Sequence, residues 1–332
     1  MRNTLFIASL YLILSACGEK SNEVKFISES NPIVTDKFTA DPAPMVHNGR
    51  LYLYVGHDEA EEGQDFNITE WLCYSTKDMK TWTDHGSVLK PTDFSWGVGE
   101  AWASQVIEKD GKFYYYTTVQ AGAPYNSKTV GVAVSDSPTG PFIDARGTPL
   151  ITDDMTPNGP RGWWNDIDPT VFVDDDGRAY QFYSSENNAT MYISLLTDDY
   201  LKPSGRFTRN FVKESREAPA VFKYDGKYYM LSSGCTGWDP NVAEIAVADS
   251  IMGTWKTIGN PCTGPDADKT FYAQSTYVQP VIGKKDAYIA MFDRWKKKDL
   301  EDSRYVWLPV LIKNGAITIP WHEKWNLEIF DK

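Results

Sequence analysis

Cysteine is scarce in this chain. Its 332 residues hold Cys17, Cys73, Cys235 and Cys262 and no others, too few to staple a domain of this size. Cys235 and Cys262 could pair in an oxidising compartment, but stability has to come from a large core. Histidine is equally sparse: His47, His57, His85 and His322 are scattered and no Cys-x-x-Cys is present, so neither a metal nor a cofactor is expected. A net charge of −12 argues against a nucleic-acid partner, because a phosphate backbone selects for lysine and arginine. Helical patterning is missing too, since no long window spaces its apolar residues by threes and fours. Beyond the first seventeen residues there is no run of eighteen apolar residues, so no later segment is expected to span a bilayer.

Those first seventeen residues read as a processing signal. Arg2 supplies a positive start, the apolar stretch from Leu5 to Leu14 is too short to cross a membrane, and Leu14-Ser15-Ala16-Cys17 resembles a bacterial lipoprotein processing box. Cleavage there would leave Cys17 lipidated, with residues 18–36 as a polar tether. The expectation is an exported bacterial lipoprotein, periplasmic or on the cell surface, that meets a membrane only through its lipid anchor.

What the chain does have is a repeated hairpin. Residues Asp166 to Tyr183 run from an acid-proline step through a β-branched strand to Asp176-Gly177 and an aromatic strand, and the pattern returns from Asp41 and from Glu217. Hairpins start near Asp41, Glu100, Asp168, Glu217 and Tyr272. A second signature, an apolar strand, a Ser/Asp turn and an aromatic, follows three of them: Tyr74 to Trp82, Ala133 to Phe142 and Ala246 to Trp255. Two hairpins make a four-stranded blade, so the fold expected is all-β, a five-bladed β-propeller over residues 37–332.

The inner strand of each blade would open at one mouth of the central channel. In-register repeats would bring Asp41, Glu100, Asp168, Glu217 and Gln274 together there. Like charges clustered in a poorly solvated place raise one another's pKa, the condition for acid-base chemistry. Asp41 in Ala-Asp-Pro-Ala-Pro, Asp168 in Asp-Ile-Asp-Pro-Thr-Val-Phe and Glu217 in Arg-Glu-Ala-Pro-Ala-Val resemble the catalytic triad of glycoside hydrolase family 43. The resemblance implies an inverting glycosidase with Asp41 as general base, Glu217 as general acid, and Asp168 orienting the acid and tuning its pKa. Inversion asks for acid and base about 6.5 to 9.5 Å apart, with a water between base and sugar.

Aromatic residues make up 14% of the chain, and indole faces stack on sugars. Trp96, Trp164 and Trp238, in loops beside the inner strands, are the expected stacking residues, with Glu100, Gln274 and Arg294 holding hydroxyls. Family members often use a fifth-blade histidine near a central ion; its lack here makes a bound calcium doubtful. Phe271 to Thr276, Ser233 to Trp238 and Asp293-Arg294-Trp295 are similar to the exo-galactanase branch, where a glutamine takes the base role and the first-blade Asp is missing. This chain has both Asp41 and Gln274, so the base is assigned to Asp41 and Gln274 to substrate binding. The implied partner is an oligo- or polysaccharide, and the leading substrate a terminal α-L-arabinofuranose on a plant polysaccharide side chain. Galactofuranosidase, β-xylosidase and exo-β-1,3-galactanase activities are the alternatives within the fold, and a non-catalytic glycan-binding lipoprotein is the alternative outside it.

Overall fold

Four of the five expected hairpins are built on a dipeptide whose backbone most side chains resist. Asn48-Gly49, Asp110-Gly111 and Asp225-Gly226 have both residues at positive φ, the geometry that matches a tight turn to the twist of its strands; at Asp176-Gly177 only the glycine does. In the computed structural model, which describes residues 24–27, 34, 37–60, 66–152, 165–294, 296 and 304–331, these turns join the first two strands of successive blades. The chain is a five-bladed β-propeller.

The inner strands are Thr39–His47, Gly97–Lys109, Ile167–Val173, Arg216–Tyr224 and Gln274–Pro280. Each pairs antiparallel with the next strand out, and the fifth packs back against the first to close the ring. Among the described residues five apolar clusters fill the five seams between blades. Trp82, Tyr74 and Leu53 meet Trp307, Tyr305 and Met291 between blades 1 and 5, for example, and Tyr180 and Phe182 meet Tyr228 and Met230 between blades 3 and 4. Alternation along each strand puts one set of side chains into one seam and the other set into the next, so a strand buries side chains on both of its faces. The described helical turns, Pro91–Asp93, Ala267–Tyr272 and Leu327–Phe330, are all short, and no described helix is long and apolar enough to cross a membrane.

Two outer edges depart from four strands per blade. Val24–Ile27, within the expected tether, pairs with Thr81–Leu89 and becomes a fifth strand on blade 1. Val34 is also buried in the seam between blades 1 and 5. The tether is therefore partly fold, because Val-Lys-Phe-Ile can cover an edge that would otherwise expose unpaired backbone groups. Cys262–Thr263 does the same for blade 5, in parallel with Ala316–Pro320. Residues 1–17, with the processing box and Cys17, lie outside the described residues.

Candidate active site

The sheet register decides which side chains face the mouth. In blades 1, 3 and 4 the inner strand carries a bulge in which two residues oppose one: Asp41-Pro42, Asp168-Pro169 and Ala218-Pro219. The first residue of each pair is left-handed, with φ of 53°, 56° and 53°. Such a backbone costs of order 1 to 3 kcal/mol for a non-glycine residue and needs outside support. Support comes from the preceding blade. The N–H of Asp41 donates to Asp293 Oδ2 at 2.8 Å, that of Asp168 to Thr118 Oγ1 at 3.2 Å, and that of Ala218 to Asp168 Oδ2 at 3.0 Å.

This register corrects two expectations. Glu217 does not share the repeat position of Asp41 and Asp168, which Ala218 holds; Glu217 lies one residue earlier, opposite Ser233. In blade 2, additional irregularities between Gly97 and Ala101 displace the frame, and the two-against-one bulge falls on Trp102-Ala103. Glu100 is consequently not the acid of a matching position. Its side chain is half-exposed and pairs with Lys128 at 3.3 Å, while Trp102 turns into the pocket.

The pocket, ≈ 170 Å³ among the described residues, is lined by the carboxyls of Asp41, Asp168 and Glu217, with Asn188, Cys235 and Gln274 around them. That is below the roughly 300 to 1,000 Å³ typical of drug-sized ligands, as a site for one sugar ring should be. One wall is aromatic. Phe66 stands edge-on between Trp102 and Trp238, with ring centroids 5.2 and 5.6 Å away. Lys128 Nζ sits 3.7 Å from the centre of the Trp102 ring, a cation-π contact that fixes the indole.

Gln274 and Trp238 line the pocket, and Glu100, Trp96 and Arg294 do not. Trp96 is buried in the seam between blades 1 and 2, tilted beside Phe94 and over Gly131, where a Cβ would come within 2.8 Å of both rings. Arg294 points along the edge of blade 5 toward Tyr272 and Trp321, 6.0 Å from each ring. Trp164 lies outside the described residues. Cys235 and Cys262 are free thiols in different places, one at the pocket and one in the blade 5 core.

Burial raises the pKa of every carboxyl in the cluster. It leads for Asp41, which is held well above the usual range, with the charges of Asp293, Asp168 and Glu217 adding to it. Asp293, fully buried behind Asp41 in strand Tyr288–Arg294, is pushed up to about 8, eased by the N–H groups of Asp41 and Arg294. Asp168 rises to about 7 through burial and the charge of Glu217, eased by the Ala218 N–H. Glu217 is also raised by burial, but hydrogen bonds from Cys235, Gln274 and Asn188 and the charge of Arg216 pull it back. Gln274 Nε2 reaches Glu217 Oε1 at 2.9 Å and Asn188 Nδ2 reaches Oε2 at 3.2 Å.

Sequence reasoning did not single out Phe66, Trp102, Asn188, Cys235 or Asp293 as site residues. Asn188 closes a turn in which Glu186, Asn187 and Asn188 are all left-handed, a turn the Asn-Asn pair does advertise. Nothing local says that it faces Glu217. Below the site a cavity of ≈ 20 Å³, room for a water, is lined by Ser104, Thr170, Ser275 and Thr276 as well as by Asp41 and Asp168. The hydroxyls of Thr170, Ser275 and Thr276 donate to backbone carbonyls of the bulges.

With this geometry in view, the sequence pattern of glycosyl hydrolases family 43 matches residues 29–283. The chain belongs to this family. Among curated relatives, Xylosidase/arabinosidase 43A of Humicola insolens is 37% identical over 161 residues, which cover 46% of this chain and 45% of that protein. The chain spans about half the length of the first curated family members it matches. Among solved structures, a family 43 β-1,3-galactosidase with galactodeoxynojirimycin is 34% identical at a TM-score of 0.76, covering 87% of this chain and 96% of that one. An exo-β-1,3-galactanase from Clostridium thermocellum is 25% identical at a TM-score of 0.77, covering 91% of this chain and 67% of that one.

Proposed function

We propose that the protein is an exo-acting, inverting glycosidase that removes a terminal galactose from a β-1,3-linked galactan. The observation that carries this reading is the pocket itself: a small enclosure with an aromatic wall facing a protonatable Glu217 and a second carboxyl, Asp41. Galactopyranose has one face of C–H groups, which suits Trp102 and Trp238. The solved galactosidase and galactanase with similar folds favour galactose over the arabinofuranose that the motifs first suggested.

In this reading Glu217 gives its proton to the glycosidic oxygen. Asp41, once ionised, takes a proton from water on the far side of the ring. Gln274 touches Glu217 directly, which places it beside the acid and supports the assignment of the base to Asp41. Because Asp41 is held well above the ordinary carboxylate range, its activity should climb as pH rises toward neutrality and not peak near pH 4. Arabinofuranose remains the second reading, supported by the curated xylosidase/arabinosidase likeness and by Asp41, which the galactanase branch lacks. A parallel assay on β-1,3-galactotriose, an aryl β-D-galactopyranoside and an aryl α-L-arabinofuranoside, with NMR of the first anomer released, separates the two. Release from the arabinoside alone overturns the galactose reading, release from none favours a glycan binder, and a retained anomer removes the inverting mechanism. An exported, lipid-anchored location is part of the same proposal, to be checked by mass spectrometry of the mature N-terminus.

A further inference from the structure

We propose that Cys235 is a positioning residue for Glu217, its thiol forming with Asn188 and Gln274 a three-donor cradle that holds the carboxyl in its proton-transfer orientation. The inference rests on the glycosidase reading above and deepens it.

The three donors come from three separate places in the ring. Asn188 ends the left-handed turn of blade 3, Cys235 follows strand Lys227–Gly234 of blade 4, and Gln274 begins the inner strand of blade 5. The Cys235 backbone is fixed by its N–H on Ser215 O at 2.8 Å. Asn188 Nδ2 lies 3.2 Å from Glu217 Oε2 and 3.5 Å from Cys235 Sγ, so one amide ties sulfur and carboxylate together. Gln274 Nε2 is also 3.2 Å from Ser233 Oγ, which keeps it on the other carboxylate oxygen.

The two amides and the thiol are not equivalent. A side-chain NH₂ group can only donate, so Asn188 Nδ2 and Gln274 Nε2 always favour the ionised acid. A thiol carries one proton on a freely turning bond and also accepts weakly, so it can donate to the carboxylate and turn away when Glu217 holds its own proton. The groups that set this balance are Arg216 beside Glu217, Asp168 from blade 3 and Asp41 from blade 1; Glu217 and Asp168 in turn face the thiol. Burial and the charge of Glu217 push the Cys235 thiol up, which keeps it protonated and a donor.

Two experiments test this, one of which needs no turnover. In the first, alkylation of Cys235 by iodoacetamide is followed against pH by peptide mass spectrometry, in the wild type and in Glu217→Gln. Loss of the neighbouring charge should move the onset of alkylation down by about one pH unit. Buried Cys73 and Cys262 serve as references, and an unchanged onset overturns the contact whether or not the protein is a glycosidase. In the second, kcat/KM is measured against pH for Cys235→Ala and Cys235→Ser. The alanine variant, lacking a donor to the ionised acid, should lose about 3- to 10-fold in kcat and shift its alkaline limb upward by about half a pH unit, while serine restores both. Equal losses in both variants with unmoved limbs would reduce Cys235 to packing and sink the proposal, as would an alanine variant indistinguishable from wild type.

Discussion

The two sides of the mouth solve the same problem differently. On one side Asp41 and Asp293 meet across the seam between blades 1 and 5, where Asp293 Oδ2 accepts the N–H of Asp41 and its buried Oδ1 has no hydrogen-bond partner among the described residues. On the other side Asp168 and Glu217 meet across the seam between blades 3 and 4, and the donors there include one backbone N–H and three side chains. Burial raises all four carboxyls, neighbouring charges push Asp41 and Asp168 up further, and side-chain donors pull Glu217 back. Where donors are plentiful a buried acid keeps a tunable proton; where they are few the pair holds its proton to higher pH.

The largest expected effect breaks the donor-rich side. Glu217→Gln should lower kcat by about 10³-fold on a natural glycoside, and much less on an aryl glycoside whose leaving group needs no proton. Full activity on both would remove the acid assignment. Asp168→Asn keeps an acceptor for the Ala218 N–H but removes the carboxyl that competes with Glu217 for a proton. It should cost about 10- to 100-fold and move the alkaline limb of kcat/KM to lower pH; an unshifted limb would leave Asp168 only a backbone anchor.

The smallest effect, and the sharpest test of the contrast, is Asp293→Asn. The folded pKa of Asp293, about 8, lies above its ordinary value of about 3.9, so between those pH values the folded state keeps a proton that the unfolded state releases. Stability should therefore fall as pH rises through that window, with the penalty complete above it. The asparagine variant should be more stable than wild type at pH 8.5, on the order of 2 kcal/mol by denaturant titration, and no more stable at pH 4. Removing a competing carboxyl should also move the acid limb of activity to lower pH, because Asp41 would then ionise more easily. Identical melting curves at both pH values would show that Asp293 does not carry that proton.

Much of the architecture was legible locally. Asp-Gly and Asn-Gly turns require left-handed backbone, aromatic and β-branched runs require a sheet, and their repetition in one order required blades. Asp41, Asp168 and Glu217 were identifiable because each precedes or neighbours a proline that fixes the bulge. Glu100 and Trp96 misled because distance along the chain does not reveal register. Slipping by one residue moves a side chain to the other face, and blade 2 slips between Gly97 and Ser104, which puts Trp102 in the pocket and leaves Glu100 outside it.

The sequence by itself determined that this would be a ring of β-hairpins with acids at its mouth, since turn chemistry and strand periodicity act over a few residues. Only the tertiary structure decided which acids lie close enough to raise one another's pKa and which donors answer them. Asp293 and Asp41 stand 252 residues apart and Gln274 and Glu217 57 apart. Their pKa values depend on distance in space and on exclusion of water, quantities that exist only once the five seams have closed.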